Sequence, residues 1–415
     1  MRAAWQHGAV TISVHDLDLP EIELIDLERD EAMAVFAAAR EQHWLARTPM
    51  GYVVSRHEDV TAILRDRRFH SALAMITQMA GFTEDTGEFM ARRERSILSL
   101  EGEEHSRLRR LVAGAFTPKS ADRLRPFMRD VIGGLVDAVA DSGRCELVGD
   151  VCEPYPIPII CELLGAPKED WKLFSNWATD IFRIFNNDLV NDMPLIDAAS
   201  NELDAYVAAM VDERRSHPAD DLLSELIAIE AEGDRLSTED LIGLAEAVLM
   251  AGTDTTRNQL ACSVALFAQY PEQWALLGER PELAHRAVEE SMRYLGAVRG
   301  TARIASEDIE YREVLFPKGT LVATSLAGAN FDDHAWEDPD AFDITHERST
   351  PQMTFGSGIH FCLGASLARA ELQEALPLLA QRMPDIEIDG VIEWKAATVG
   401  IWGPARLPLR FGASN

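Results

Sequence analysis

Of the chain's five cysteines, Cys362 has the surroundings of a metal ligand. It stands in Phe355-Gly-Ser-Gly-Ile-His-Phe-Cys-Leu-Gly364, immediately before a helix-forming run from Ala365 to Leu379. The flanking glycines let the backbone approach a flat ligand closely. A cysteine just ahead of a helix N-terminus also feels the positive end of the dipole, which lowers its pKa and favours the thiolate. The thiolate is the form that ligates a metal. Zinc fits poorly, because no second cysteine or paired histidine stands at ligand spacing, and His360 is too near in sequence to reach the same metal face. The remaining cysteines, Cys145, Cys152, Cys161 and Cys262, read as small buried hydrophobes.

A second anomaly is Ala251-Gly-Thr-Asp-Thr-Thr256, which interrupts an apolar helical pattern of Leu241, Leu244, Val248 and Leu249. Glycine in a helix interior costs about 1 kcal/mol against alanine. Aspartate and threonine are poor there as well, because their side chains compete for backbone hydrogen bonds. Local rules broken in mid-helix mark a functional site; the plain alternative is a polar stretch facing solvent.

The elements that must position these residues are mostly helical. Ser237 and Asp240 form a capping-box pattern that opens a helix running to Gln269, about 45 Å long at the standard rise. Tyr52-Val53-Val54 reads as a strand, followed by a helix from His57 to Arg65. Residues 71–100 read as a long irregular loop of the kind that often serves as a lid. A helix over Ser106–Ala115 is expected to end at Pro118. The stretch from Lys168 to Arg215 reads as helical, Pro281 as the start of a helix to Leu295, and 309–325 and 385–411 as short strands and turns. No linker, low-complexity tract or repeat divides the 415 residues, so one domain is expected, with residues 1–20 as a flexible tail.

With 39 basic and 69 acidic residues the net charge is −30, which argues against broad binding to nucleic acid or anionic membrane. No apolar run reaches the roughly 20 residues needed to span a bilayer. The first 27 residues lack the basic-then-apolar order of a signal peptide, and the odd, sparse cysteine count suits a reducing compartment. A cytoplasmic protein is expected.

Phe355-x-x-Gly358-x-x-x-Cys362-x-Gly364 resembles the haem-binding loop of the cytochrome P-450 family. Further segments follow in that family's order. Ala251-Gly-Thr-Asp-Thr-Thr256 resembles its oxygen-activating helix, Glu290-Ser-Met-Arg293 its Glu-x-x-Arg pair, and His105-Ser-Arg-Leu-Arg109 its haem-propionate helix. Asn330 to Ile344 resembles the meander before the cysteine loop. The resemblance implies a mainly α fold with small β-sheets, with haem b buried between the long central helix and the cysteine-loop helix. It implies that Cys362 is the iron ligand, with Ala251, Phe355 and Gly364 against the haem. His105 and Arg109, one helical turn apart, join Arg303 and His360 as propionate partners, since two buried carboxylates require cationic donors. Asp254 and Thr255 match the acid–alcohol pair that handles protons. Glu290 and Arg293 are structural in the family. Their usual third partner is an arginine in the meander, where this chain has Ala341; His346 and Arg348 are the candidate substitutes.

The activity so implied is insertion of one atom of O2 into a hydrophobic small molecule, most often as a hydroxylation. No reductase domain is present in the sequence, so electrons are expected from a separate ferredoxin and its NAD(P)H-dependent reductase, serving a monomer. Candidate substrate contacts are Met75, Ile76, Met79, Phe82, Phe182, Phe185, Ala247, Met250, Val298, Ile401 and Trp402, each of which could equally be plain core. Arg299 could meet a substrate carboxylate, a haem group or solvent. A peroxide-driven haem enzyme and a non-catalytic haem-binding protein stay open as other readings.

Overall fold

The computed structural model describes residues 11–24, 27, 29–73, 92–185, 189–232, 236–395 and 401–412, with the side chain of Phe185 excepted. Its principal helices are α1 (Arg29–Gln42), α2 (His57–Arg65), α3 (Gly102–Val112), α4 (Pro118–Ala140), α5 (Pro156–Leu164), α6 (Trp171–Ile181), α7 (Leu189–Ser216), α8 (Leu222–Ala231), α9 (Thr238–Phe267), α10 (Pro271–Glu279), α11 (Ala284–Tyr294) and α12 (Ala365–Arg382). The strands are short: β1 (Ile12–Ser13), β2 (Leu45–Thr48), β3 (Gly51–Val54), β4 (Phe69–Ser71), β5 (Arg144–Glu146), β6 (Gly300–Ala305), β7 (Ile309–Tyr311), β8 (Val314–Phe316), β9 (Leu321–Ser325), β10 (Glu387–Ile388), β11 (Glu393–Trp394), β12 (Pro404–Arg406) and β13 (Pro408–Arg410). The fold is mainly α with small β-sheets, as expected.

α9 is the axis of the helical part. Ser237 accepts from the Asp240 amide, and the Asp240 carboxylate returns a bond to the Ser237 amide, so the capping box forms as read. From Leu260 to Phe267 every residue is buried, because α5, α6, α7, α11 and α12 pack around the helix. A helix apolar on all sides must be enclosed in this way. Gly252 has a packing reason: a Cβ there would lie 2.7 Å from Ile160 Cγ1 on α5. Part of the mid-helix anomaly is therefore close helix–helix approach rather than chemistry.

The largest sheet has the order β2-β3-β9-β6-β4, with β3 and β9 parallel and the other pairs antiparallel. Tyr52, Val53 and Val54 are buried on β3, which suits their β-branched and aromatic character. The register pairs Ser71 with Arg303, which places that arginine on the penultimate strand.

Several expectations are corrected. From residue 11 onward the N-terminal segment is not a flexible tail. Ile12 and Ser13 pair with Val314 and Leu315, and Val14 is fully buried, so apolar burial anchors it. Pro118 does not stop a helix but opens α4, where its missing N–H is one of the unpaired donors anyway. Residues 92–95, within the expected loop, are helical. The stretch from Lys168 to Arg215 is divided into a 3-10 turn, α6, a second 3-10 turn at Phe182–Phe185, and α7.

The gap at Ala341 is filled by Arg348. Arg293 grips Glu290 through Nε and Nη2 at 2.8 and 2.7 Å, and Arg348 grips the same carboxylate at 2.8 and 3.0 Å. Arg293 also donates to the carbonyls of Asn330, Pro339 and Ala341, tying α11 to the meander. Arg348→Ala leaves Glu290 buried with half its donors. The variant is expected to lose about 1–3 kcal/mol of stability, read as a lower urea midpoint; an unchanged midpoint would contradict this role.

Candidate active site

Cys362 lies in the loop that feeds α12. Its amide donates to the Phe355 carbonyl at 3.0 Å, closing the loop on itself. Gly356 and Gly358 hold φ of +70° and +73°, and a Cβ on Gly358 would collide with the Leu64 carbonyl of α2 at 2.0 Å. Only glycine serves there. The Phe355 ring is nearly buried, with the Arg369 guanidinium 4.4 Å from its centroid. The expected depression of the Cys362 pKa is not what the surroundings produce. Burial pushes the thiol above its ordinary value, while the Gly364 amide, Arg109 and Arg369 pull the other way. Desolvation outweighs the helix end; a metal cation at the sulfur would reverse that balance.

Beside this loop four basic side chains gather. The His105 ring stands 4.6 Å from that of His360, and Arg109 donates to the Phe361 carbonyl at 2.6 Å. His105 is buried, and its pKa falls to about 4 through burial first, then through His360 and Arg109. Arg303 is 4% exposed, and burial brings its pKa down to about 10. It donates only to Thr301 and the Ala302 carbonyl, with no carboxylate in contact among the described residues. One acid enters the group: Glu101 accepts from His360 Nε2 at 3.0 Å and from the Ser71 amide at 2.6 Å. A buried Arg303 beside a part-buried Arg109, with one carboxylate among the four basic side chains, calls for further anions.

On α9 Asp254 is buried, accepting from Arg257 Nε at 2.6 Å and facing Lys395 Nζ at 3.5 Å. Arg257 reaches on to Ser175 and Thr179 of α6 at 3.2 and 3.1 Å. The Thr255 hydroxyl donates to the Ala251 carbonyl at 2.8 Å, the i−4 pattern of a helical threonine. Thr256 hydrogen-bonds Glu371 of α12, a fully buried acid whose pKa burial raises to about 8.

The candidate substrate contacts are scattered. Met75, Ile76, Met79 and Phe82 lie outside the described residues, as does the Phe185 side chain. Ala247, Phe182 and Val298 are half-buried and Met250 is nearly buried. Val298 bridges to Ile401, so those two share one face of their strand pair. Trp402, next along, stacks on Trp394 at 4.4 Å and donates its indole N–H to the Lys395 carbonyl. The Arg299 guanidinium lies 4.9 Å from the Trp402 ring centroid.

Sequence reasoning missed Glu101, Arg257, Lys395 and Glu371. Arg257 stands three residues after Asp254, a spacing that brings side chains together on a helix. Glu371 falls one turn from Leu367 and Ala375 on the apolar face of α12, which could have marked it as a buried acid. Nothing local announces Lys395.

The donor set fits a flat, dianionic, metal-bearing group. A sulfur is available as ligand, cations outnumber acids beside it, and Ala251 exposes only a methyl group in mid-helix on α9. Comparison with known proteins agrees. The family described as Cytochrome P450 matches residues 273–383. Luteothin monooxygenase of Streptomyces thioluteus is 36% identical over 401 residues, 96% of this chain and 97% of that protein. Nocardicin C N-oxygenase of Nocardia uniformis subsp. tsuyamanensis is 38% identical over 88% of this chain and 91% of its own. The crystal structure of P450BioI in complex with a hexadec-9Z-enoic acid ligated acyl carrier protein superposes with a TM-score of 0.85 at 30% identity, covering 92% of this chain and 99% of that one. The chain belongs to the cytochrome P-450 family. It is a haem-thiolate monooxygenase whose cofactor is haem b.

Glu371 gives a test of the buried acid beneath Thr256. Its folded pKa of about 8 lies above the ordinary carboxyl value of 4.5, so the native state keeps a proton that the unfolded state releases. Stability from this group is present at low pH and lost as pH rises through that window, by at most about 1.4 kcal/mol per pH unit. The difference in stability between wild type and Glu371→Gln is expected to shift toward the variant between about pH 4.5 and 8, followed by urea unfolding at each pH. A pH-independent difference would show that Glu371 is ionised in the folded protein.

Proposed function

We propose that this monooxygenase acts on a hydrophobic small molecule with electrons from a separate ferredoxin and reductase, and that Cys362 is its iron ligand. The observation that carries this reading is the cluster of basic side chains beside the cysteine loop, with the buried Arg303 facing no carboxylate in contact among the described residues. His105, Arg109, Arg303 and His360 have one carboxylate, Glu101, among them, and would hold the two haem propionates. When bound, haem supplies the iron centre at which O2 is reduced with two electrons and two protons. Phe355 would cover the cysteine side of the haem and Gly364 would let α12 begin close to it.

The chain's own part is to hold the substrate and to move protons. Thr255 lies one turn from Ala251, and its hydroxyl, now bonded to the Ala251 carbonyl, would be free to turn and hold a proton for the cofactor's oxygen chemistry. Asp254 is the acid that brings protons in. It is 3% exposed at its side chain against 32% for Lys395, so Lys395 stands between it and solvent. Positioned proton transfer is typically worth about 10²–10⁴-fold. The acid–alcohol pair supports the O2-dependent reading over a peroxide-driven one.

A hydrophobic substrate is supported by the half-buried apolar set of Phe182, Ala247, Val298 and Ile401. A ferredoxin is supported by exposed cations that make no ion pair among the described residues, Arg110, Lys119 and Arg123. Arg110 follows Arg109, which bonds to the backbone of Phe361, and that ring is 39% exposed beside Cys362. Arg107 and Arg369, otherwise candidates for the same patch, are engaged by Glu104 and Asp240 and by Glu289. Such charges steer an acidic partner, with a reach of about 8–10 Å in salt. The enzyme is taken to be a cytoplasmic monomer.

The test has two parts. Ligands that shift the haem Soret band from low spin to high spin identify substrate candidates. One of them is then turned over with reduced ferredoxin, and reductant used, peroxide released and product formed are measured together. Wild type is expected to couple reductant to product. Thr255→Ala is expected to bind haem and consume reductant while product falls at least about tenfold and peroxide rises, and Asp254→Asn to slow turnover itself. Full coupling in Thr255→Ala would remove the role given to that hydroxyl, and product formed only with added peroxide would overturn the ferredoxin-dependent reading.

A further inference from the structure

We propose that a small anion, chloride-sized or the carboxylate of a short acid, binds between Arg29 and Arg299. The site lies between the start of α1, the end of α11 and Trp402. A cavity of about 20 Å3 opens there, lined by Arg29, Arg299, Tyr294, Phe331 and Trp402 among others. That is roughly the room of one water-sized group. Its described lining contains three guanidiniums and no carboxylate. Arg293 is already held by Glu290, and Arg29 has only the exposed Asp30 outside the cavity, so the pair facing the cavity without a carboxylate in its lining is Arg29 and Arg299.

Both guanidiniums are held in place by rings. Arg29 lies 4.3 Å from the Tyr294 centroid and 4.7 Å from that of Phe331, while Arg299 lies 4.9 Å from that of Trp402. Stacking fixes the planes and leaves the N–H edges free to donate. The Arg299 side chain makes no hydrogen bond or ion pair among the described residues. Burial lowers its pKa, and the charge of Arg29 lowers it further. The one acid touching Arg29 is its neighbour Asp30, 87% exposed and outside the cavity lining. Two like charges facing one small space, Arg299 among them half-buried, are relieved by an anion between them. The size of the cavity selects a halide or a carboxylate end over a phosphate ester with a bulky group. The site is independent of the reading of the haem pocket, yet it adjoins it: Trp402 follows Ile401, which bridges Val298.

The test uses the haem-loaded enzyme at constant ionic strength, made up with sodium HEPES, whose anion is too large for the cavity. Chloride, bromide and acetate are titrated separately, which distinguishes a halide site from a carboxylate site. A saturable rise in melting temperature of roughly 2–5 °C at a hundredfold excess over Kd is expected for at least one of them, and a bromide peak in anomalous diffraction between the two guanidiniums. Arg29→Gln is expected to abolish the saturable rise while keeping the wild-type haem spectrum, and Arg299→Met is expected to abolish the rise. Should Arg299→Met fail to load haem, Arg29→Gln alone decides. No saturable response in wild type, or the same response in Arg29→Gln, overturns the proposal.

Discussion

Burying a positive charge away from water is costly unless an anion accompanies it, and the region around the cysteine loop is organised by that cost. His105, Arg109, Arg303 and His360 come from α3, β6 and the cysteine loop, so three distant stretches of chain must converge to place them. Glu101 alone answers them from within the described chain, and it sits at the mouth of α3, bound to the Ser71 amide of β4. The site is crowded with positive charge: burial first, then His360 and Arg109, disfavour the charged form of His105. A ligand with two carboxylates relieves it, which is why the protein side of the site is best understood as half of an ion-paired unit.

The same logic operates at opposite sign on α9. Asp254 is buried in mid-helix, and Arg257 and Lys395 neutralise it from two directions. Arg257 then spends its remaining donors on Ser175 and Thr179, so the acid is coupled to α6. Gly252, two residues before Asp254, makes room for α5 to press against the helix. Chemistry and packing thus share one short stretch, where the Thr253 and Thr255 hydroxyls are satisfied by carbonyls four residues earlier. On the other side of the cofactor site the Glu290–Arg293–Arg348 group fixes α11 to the meander that precedes the cysteine loop.

Much of this was legible in the sequence because it is local. The capping box at Ser237, the helix over His57–Arg65, the glycines around Cys362 and the Asp254–Thr255 pair are all patterns of adjacent residues. What escaped is long-range. Arg348 replaces an arginine expected at Ala341 because the meander loops back, which no spacing rule reveals. Lys395 meets Asp254 only through the strand pairing of β11 with β12. The dipole argument for Cys362 failed on magnitude, since burial of the sulfur outweighs the helix end. Pro118 and the segment from Ile12 onward were misread because proline at N1 and short edge pairing depend on neighbours that the local pattern does not show.

The central claim is that the sulfur of Cys362 carries the iron. The most direct measurement is the absorption of the reduced, carbon monoxide-bound protein, compared between wild type and Cys362→Ala purified with haem. The account predicts the long-wavelength Soret band of a thiolate-ligated haem in wild type and its loss in Cys362→Ala, with any retained haem absorbing at the shorter wavelength of a nitrogen- or water-ligated iron. Persistence of the thiolate band in Cys362→Ala would contradict it.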